Sequence, residues 1–138
     1  VVVTLGARAP GAVHAPRDAA ELATLLRACD DAGRAVVLFG GNTLQALGNV
    51  PARYDVAIDL RGLDRILVHE PRDLTIAVEG GVTLAALDAA LAAHGQFVPL
   101  DAPQPALATV GGTLASGWLG PRRATYGRPR DFVIGTTV

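Results

Sequence analysis

The spacing of apolar residues changes period along the chain, and each change marks a predicted element. Residues 11–16 are small or apolar and predict a short strand that Pro16 stops. Leu22, Leu25, Leu26 and Cys29 then recur at i, i+3, i+4 and i+7, one buried face of a helix. Asp18 and Glu21 stand ahead of that face with capping-box spacing, and Gly33 stands where a glycine ends a helix. Residues 36–39 are an unbroken run of β formers, which predicts a strand covered on both faces.

Residues 55–60 alternate between polar and apolar, and residues 65–69 and 74–78 also read as strands. Thr83 is placed to cap a second helix whose Leu84, Leu87 and Leu91 share a face, with Gly95 as its stop. Prolines 99, 103 and 105 make residues 97–105 a loop. Residues 109–117 read as a tight turn feeding a short helix, 121–130 as an arginine-rich loop, and 131–138 as a strand. No internal repeat or low-complexity tract interrupts this order.

Composition narrows the class. A chain of 138 residues is the size of one domain, and half of it is hydrophobic, which excludes disorder. A net charge of −1 and an aromatic content of 4% give no footprint for nucleic acid. One cysteine, Cys29, excludes an intrachain disulfide and suits a reducing compartment. No apolar run approaches the ~18 residues of a membrane helix. There is no initiator Met and no signal-like segment, so the chain reads as a piece of a longer one.

Three stretches carry candidate chemistry. Phe39-Gly40-Gly41-Asn42-Thr43 follows the buried strand, and its glycines let successive N–H groups converge on an anion. Tight-turn chemistry is the alternative, and on these five residues alone it is the favoured one. Residues 108–117 alternate small residues with the hydroxyls of Thr109, Thr113 and Ser116. They suit either a large flat ligand facing a helix that starts near Gly112, or close helix–strand packing. Residues 120–131 hold four of the twelve basic residues, all arginine, whose planar forks suit phosphate or carboxylate; a solvated loop is the alternative. His14, His69 and His94 have no metal-ligand spacing, Cys29 lies on the helix stripe, and Ser116 lacks a nucleophile elbow.

Taken in order, residues 37–43, 79–84, 108–117 and 120–133 resemble the FAD-binding domain of FAD-linked oxidases. That is the fold of vanillyl-alcohol oxidase and p-cresol methylhydroxylase (the PCMH type). The Gly-Pro-Arg-Arg stretch at 120–123 is most similar to FAD-binding subunits of bacterial glycolate oxidase. The resemblance implies an α+β domain with a βαβ-containing first lobe over about residues 11–98. An incomplete second lobe would occupy about residues 99–138.

It implies that Phe39, Gly40, Gly41, Asn42, Thr43 and Leu44 hold the FAD pyrophosphate. Thr109, Val110, Gly111, Gly112, Ser116 and Gly117 would line the flavin and diphosphate. Arg122 and Arg123 would contact the same group, and the 131–138 strand would pass beside it at Val133. Asn42 stands where some relatives carry a tethering histidine, so the FAD is expected to be non-covalent. The implied activity is an FAD-dependent oxidoreductase taking electrons from a small 2-hydroxy acid, glycolate first. Its implied partners are a second flavin subunit and an iron–sulfur subunit, with no nucleic acid. The implied location is cytoplasmic, or peripheral at the inner membrane through those subunits. Alternatives are a scaffold subunit that has lost FAD, and another flavoenzyme of this fold. In the family the chain continues past Val138, where catalytic groups lie, so no general base is assigned here and FAD retention is expected to be weak.

Overall fold

The computed structural model describes residues 3–137. Its first unit is strand β1 (Ala12–His14), helix α1 (Ala19–Asp31), strand β2 (Val36–Phe39) and strand β3 (Val56–Asp59). The strands form a parallel three-stranded sheet in the order β1-β3-β2. Asp18 accepts from the Glu21 amide at 2.8 Å, so the cap forms as the spacing predicts. Glu21 reaches back one residue further than a capping box requires and accepts from the Arg17 amide at 2.8 Å. Gly33, at φ +58, ends the helix.

Sheet order corrects two strand readings. The strand covered on both faces is β3, at the centre, with Val56, Ala57 and Ile58 all buried. Strand β2 lies at an edge, and Leu38 is half exposed. A sequence run shows which residues are apolar but not which strand the sheet places in the middle. On one face Val56 and Ile58 pack with Cys29 under the leucines of α1. On the other, Phe39, Tyr54 and Ala57 pack with Val3 and Leu5.

The second unit is an antiparallel hairpin of β4 (Ile66–Glu70) and β5 (Thr75–Val78), followed by helices α2 (Leu84–Ala92) and α3 (Val110–Ser116). Leu84, Leu87 and Leu91 are buried as their spacing predicts, and each such side chain contributes about 1.5–3 kcal/mol. Their cluster continues through Leu100, Ala108 and Val110. The cluster thus joins residues before position 98 to residues after position 99. Prolines stop regular hydrogen bonding there but leave Leu100 free to pack.

The C-terminal stretch differs from its reading as loop then strand. Residues 121–130 contain a one-turn helix α4 (Arg123–Tyr126), and a 3-10 turn spans Pro129–Asp131. Residues 133–137 form no strand, and Val138 lies outside the described residues. A strand exists only against a neighbour, and no backbone hydrogen bond joins these residues to either sheet. Ile134, the most apolar position of that segment, is 89% exposed.

Candidate functional site

Strand β2 runs out at Phe39, at the carboxyl edge of the parallel sheet, where open α/β sheets present their ligand crevices. The next five amides, from Gly40 to Leu44, donate to no protein acceptor among the described residues. Asn42 holds the left-handed conformation at φ +63. Successive unspent N–H groups in such a loop form an anion cradle. Neither glycine could be replaced by a larger residue. A Cβ on Gly40 would overlap the Thr109 hydroxyl, and one on Gly41 would overlap the Leu107 carbonyl. The loop thus lies in backbone contact with the start of α3.

The start of α3 has a different electrostatic character. The Val110 amide donates to Val82 O at 2.8 Å and the Gly111 amide to Gly80 O at 2.8 Å. The Gly112 amide donates to Thr109 Oγ1 at 3.2 Å. The helix begins at Val110 and not near Gly112, and its first donors are already used inside the protein. The sequence leaves open a flat ligand facing this helix start or close packing, and the helix start is closely packed: it is stitched to residues 80–82, extending the bridge between Thr83 and Thr109. Two of its three hydroxyls donate within the helix, Thr113 to Thr109 O at 2.8 Å and Ser116 to Thr113 O at 3.0 Å. Thr109 Oγ1 accepts from Gly112, so its own proton remains available.

The loop and α3 together wall a cavity of about 480 Å³. Of the residues singled out in the sequence, Phe39, Gly40, Gly41, Asn42, Thr43 and Leu44 line it from the sheet side, and Thr109, Gly112 and Ser116 from α3. Among the described residues, no charged side chain lines it. A diphosphate fits such a wall through backbone donors and the Thr109 hydroxyl, with Asn42 adding an amide side chain at the rim.

The remaining candidates lie elsewhere. Val110 is buried in the α2–α3 core, and Gly111 lies against the backbone of Gly80. Gly117 ends α3 at φ +60. Arg122 is held by Asp101, whose carboxylate accepts from its Nε at 2.6 Å and its backbone N–H at 3.0 Å. Arg123 opens α4, and Val133 lies on the segment without a strand. The positions that sequence reasoning missed are Leu5, Val37, Leu38, Leu47 and Pro51, an apolar flank of the same cavity. Val37 and Leu38 lead into the glycines and Leu47 and Pro51 follow them, but nothing local shows that Leu5 folds back beside them.

The charged groups near the site serve the scaffold. Burial pushes the Asp59 carboxyl up, but hydrogen bonds from the Arg61 side chain and amide outweigh it and hold it below its ordinary range. The Arg65 guanidinium and amide hold the Glu79 carboxyl below its ordinary range, next to the glycines that contact α3. Burial pushes the Tyr54 hydroxyl up, where it donates to Val3 O at 3.0 Å.

Known proteins share the sequence and the fold of this chain. The chain is 30% identical over 129 residues to the glycolate oxidase subunit GlcD of Bacillus subtilis, covering 94% of this chain and 27% of that protein. It is 36% identical over 104 residues to the subunit GlcE of Escherichia coli, covering 75% of this chain and 29% of that protein. An alkyldihydroxyacetonephosphate synthase structure shares the fold at a TM-score of 0.77 and 24% identity, over 92% of this chain and 24% of that one. The chain thus spans between a quarter and a third of the length of these curated relatives. The α+β fold expected from the resemblance is the fold found. Residues 10–138 match the FAD binding domain family, and to that family, with FAD as its cofactor, the chain belongs.

Proposed function

We propose that the chain is the FAD-binding module of an oxidoreductase acting on a small 2-hydroxy acid, with glycolate as the first candidate. The loop from Phe39 to Leu44 holds the FAD diphosphate through its backbone amides, and Thr109, Gly112 and Ser116 close the opposite wall. One observation carries this reading: a run of unspent amides stands on the rim of a cavity in an FAD-binding domain. When bound, the flavin supplies the redox chemistry, while the chain supplies position and electrostatics. Asn42 offers no nucleophilic ring, so the cofactor is held non-covalently.

The substrate class is supported by the names of the relatives, among them the two glycolate oxidase subunits and a D-lactate dehydrogenase of Arabidopsis thaliana. Those names also support partner subunits, for which we propose a second flavin subunit and an iron–sulfur subunit. A cytoplasmic location, or one at the inner membrane through those subunits, belongs to the same proposal. Arg122, Arg123 and Val133 lie outside the cavity, and the same proposal gives them contacts with parts of FAD that reach beyond it.

The test is Asn42→Asp in the full chain, titrated with FAD by flavin fluorescence. Aspartate tolerates the left-handed backbone, so the fold stays while a carboxylate enters the anion cradle. FAD affinity is expected to fall at least about tenfold, or ~1.4 kcal/mol. Unchanged affinity in a folded variant overturns the assignment of the loop. A wild-type chain that is colourless and cannot be reconstituted gives the scaffold reading instead.

A further inference from the structure

The family match begins at residue 10, yet residues before it shape the cavity. Val3 is 2% exposed and packs with Phe39, Tyr54 and Ala57 on the sheet face that α1 leaves open. Tyr54 anchors it through a buried hydrogen bond to the Val3 carbonyl. The chain then closes a tight turn in which Leu5 and Arg8 exchange amide hydrogen bonds at 2.9 and 3.1 Å. Gly6, at φ +62, sits at its tip, where an added Cβ would come within 3.0 Å of Val50. Leu5 is the residue of this segment that lines the cavity, beside Leu44, Leu47 and Pro51.

We infer that residues 3–8 are a strap that positions FAD, with Leu5 as the side chain that covers one of its ring systems. This rests on the proposed site. A diphosphate held at residues 40–44 has a ring system at each end, and the apolar flank beginning at Leu5 is where one of them can shed water. The same strap bears on Val50 and so keeps residues 44–51 beside the anion loop. Leu5 is therefore a positioning residue that acts through shape, and the Tyr54 hydroxyl locks it in place.

Three variants and one protection measurement test this in the full chain. Leu5→Ser is expected to raise the FAD dissociation constant about tenfold, and Leu5→Met to restore most of the affinity. Tyr54→Phe, which removes only the anchoring hydroxyl, is expected to weaken FAD binding about threefold while the chain stays folded. Arg8 lies on the exposed turn, so trypsin cleavage after it reports strap opening, and saturating FAD is expected to slow that cut severalfold. A strap that merely stabilised the fold would leave a folded Leu5→Ser chain with wild-type FAD affinity and cleavage unaffected by FAD. Either result overturns the inference. Running ADP beside FAD identifies the ring, since an equal loss for both assigns adenine to Leu5 and a loss for FAD alone assigns the flavin. If Asn42→Asp weakens FAD while Leu5→Ser does not, the strap fails and the anion loop stands. If Asn42→Asp also leaves binding unchanged, the loop assignment has failed first.

Discussion

The pairs Gly40-Gly41 and Gly111-Gly112 look alike in the sequence, and Gly112 faces the first pair across one cavity, yet the pairs serve different ends. Both allow a close approach: Gly41 lies against the Leu107 backbone and Gly40 against the Thr109 side chain, while Gly111 lies against the Gly80 backbone and Gly112 against the Thr109 hydroxyl. The difference lies in the donors. The amides from Gly40 to Leu44 have no protein partner among the described residues, whereas those at the start of α3 are bonded to Gly80, Val82 and Thr109. A glycine pair thus marks a close approach in both places, and only unspent backbone donors turn that approach into a site for an anion.

That contrast can be broken at each pair. Gly41→Ala drives a Cβ into the Leu107 carbonyl and should cost about 3 kcal/mol or more, losing fold and FAD together. For this reason a charged residue at Gly41 tests packing and anion binding at once, and Asn42→Asp separates them. Gly111→Ala, whose Cβ would lie 2.9 Å from the Gly80 carbonyl oxygen, should cost about 1–3 kcal/mol in denaturant melts. The folded fraction should bind FAD as the wild type does; a large loss of affinity there would mean that α3 contributes backbone donors after all. Thr109→Ala removes the cap of α3 at about 1 kcal/mol and should also weaken FAD, whereas Thr109→Ser should restore both.

The smallest effect is electrostatic and sits behind the second pair. Glu79 is held below its ordinary pKa of 4.5 by Arg65. Its stabilisation is full above that value and is lost as pH falls through the lower value of the folded state. Glu79→Gln should therefore lower the melting temperature slightly at pH 7 and leave it unchanged near pH 2. An equal shift at both pH values would assign the effect to packing.

Local signals were readable in the sequence where their causes are local. The Asp18 and Thr83 caps, the stripe from Leu22 to Cys29 and the stripe from Leu84 to Leu91 all depend on neighbours within two turns. The anion loop was readable only in part. Its glycines showed in the sequence, but the reason they must be glycine is Leu107 and Thr109, more than sixty residues away. Strand coverage failed for a related reason, because sheet order placed β3 and not β2 at the centre. The stretch 131–138 reads as a strand in the sequence, but its described residues have no strand to pair with. Arg122 had the right chemistry for a phosphate, but Asp101 had already engaged it.

The absence of charged side chains around the cavity has a consequence of its own. An anion held by arginines loosens as ionic strength rises and as neighbouring acids and bases change state. Backbone N–H groups carry no titratable proton, and their partial charges act only at contact distance. A diphosphate cradled by this loop is therefore expected to loosen less with added salt, and to depend less on neutral pH, than one held by arginines.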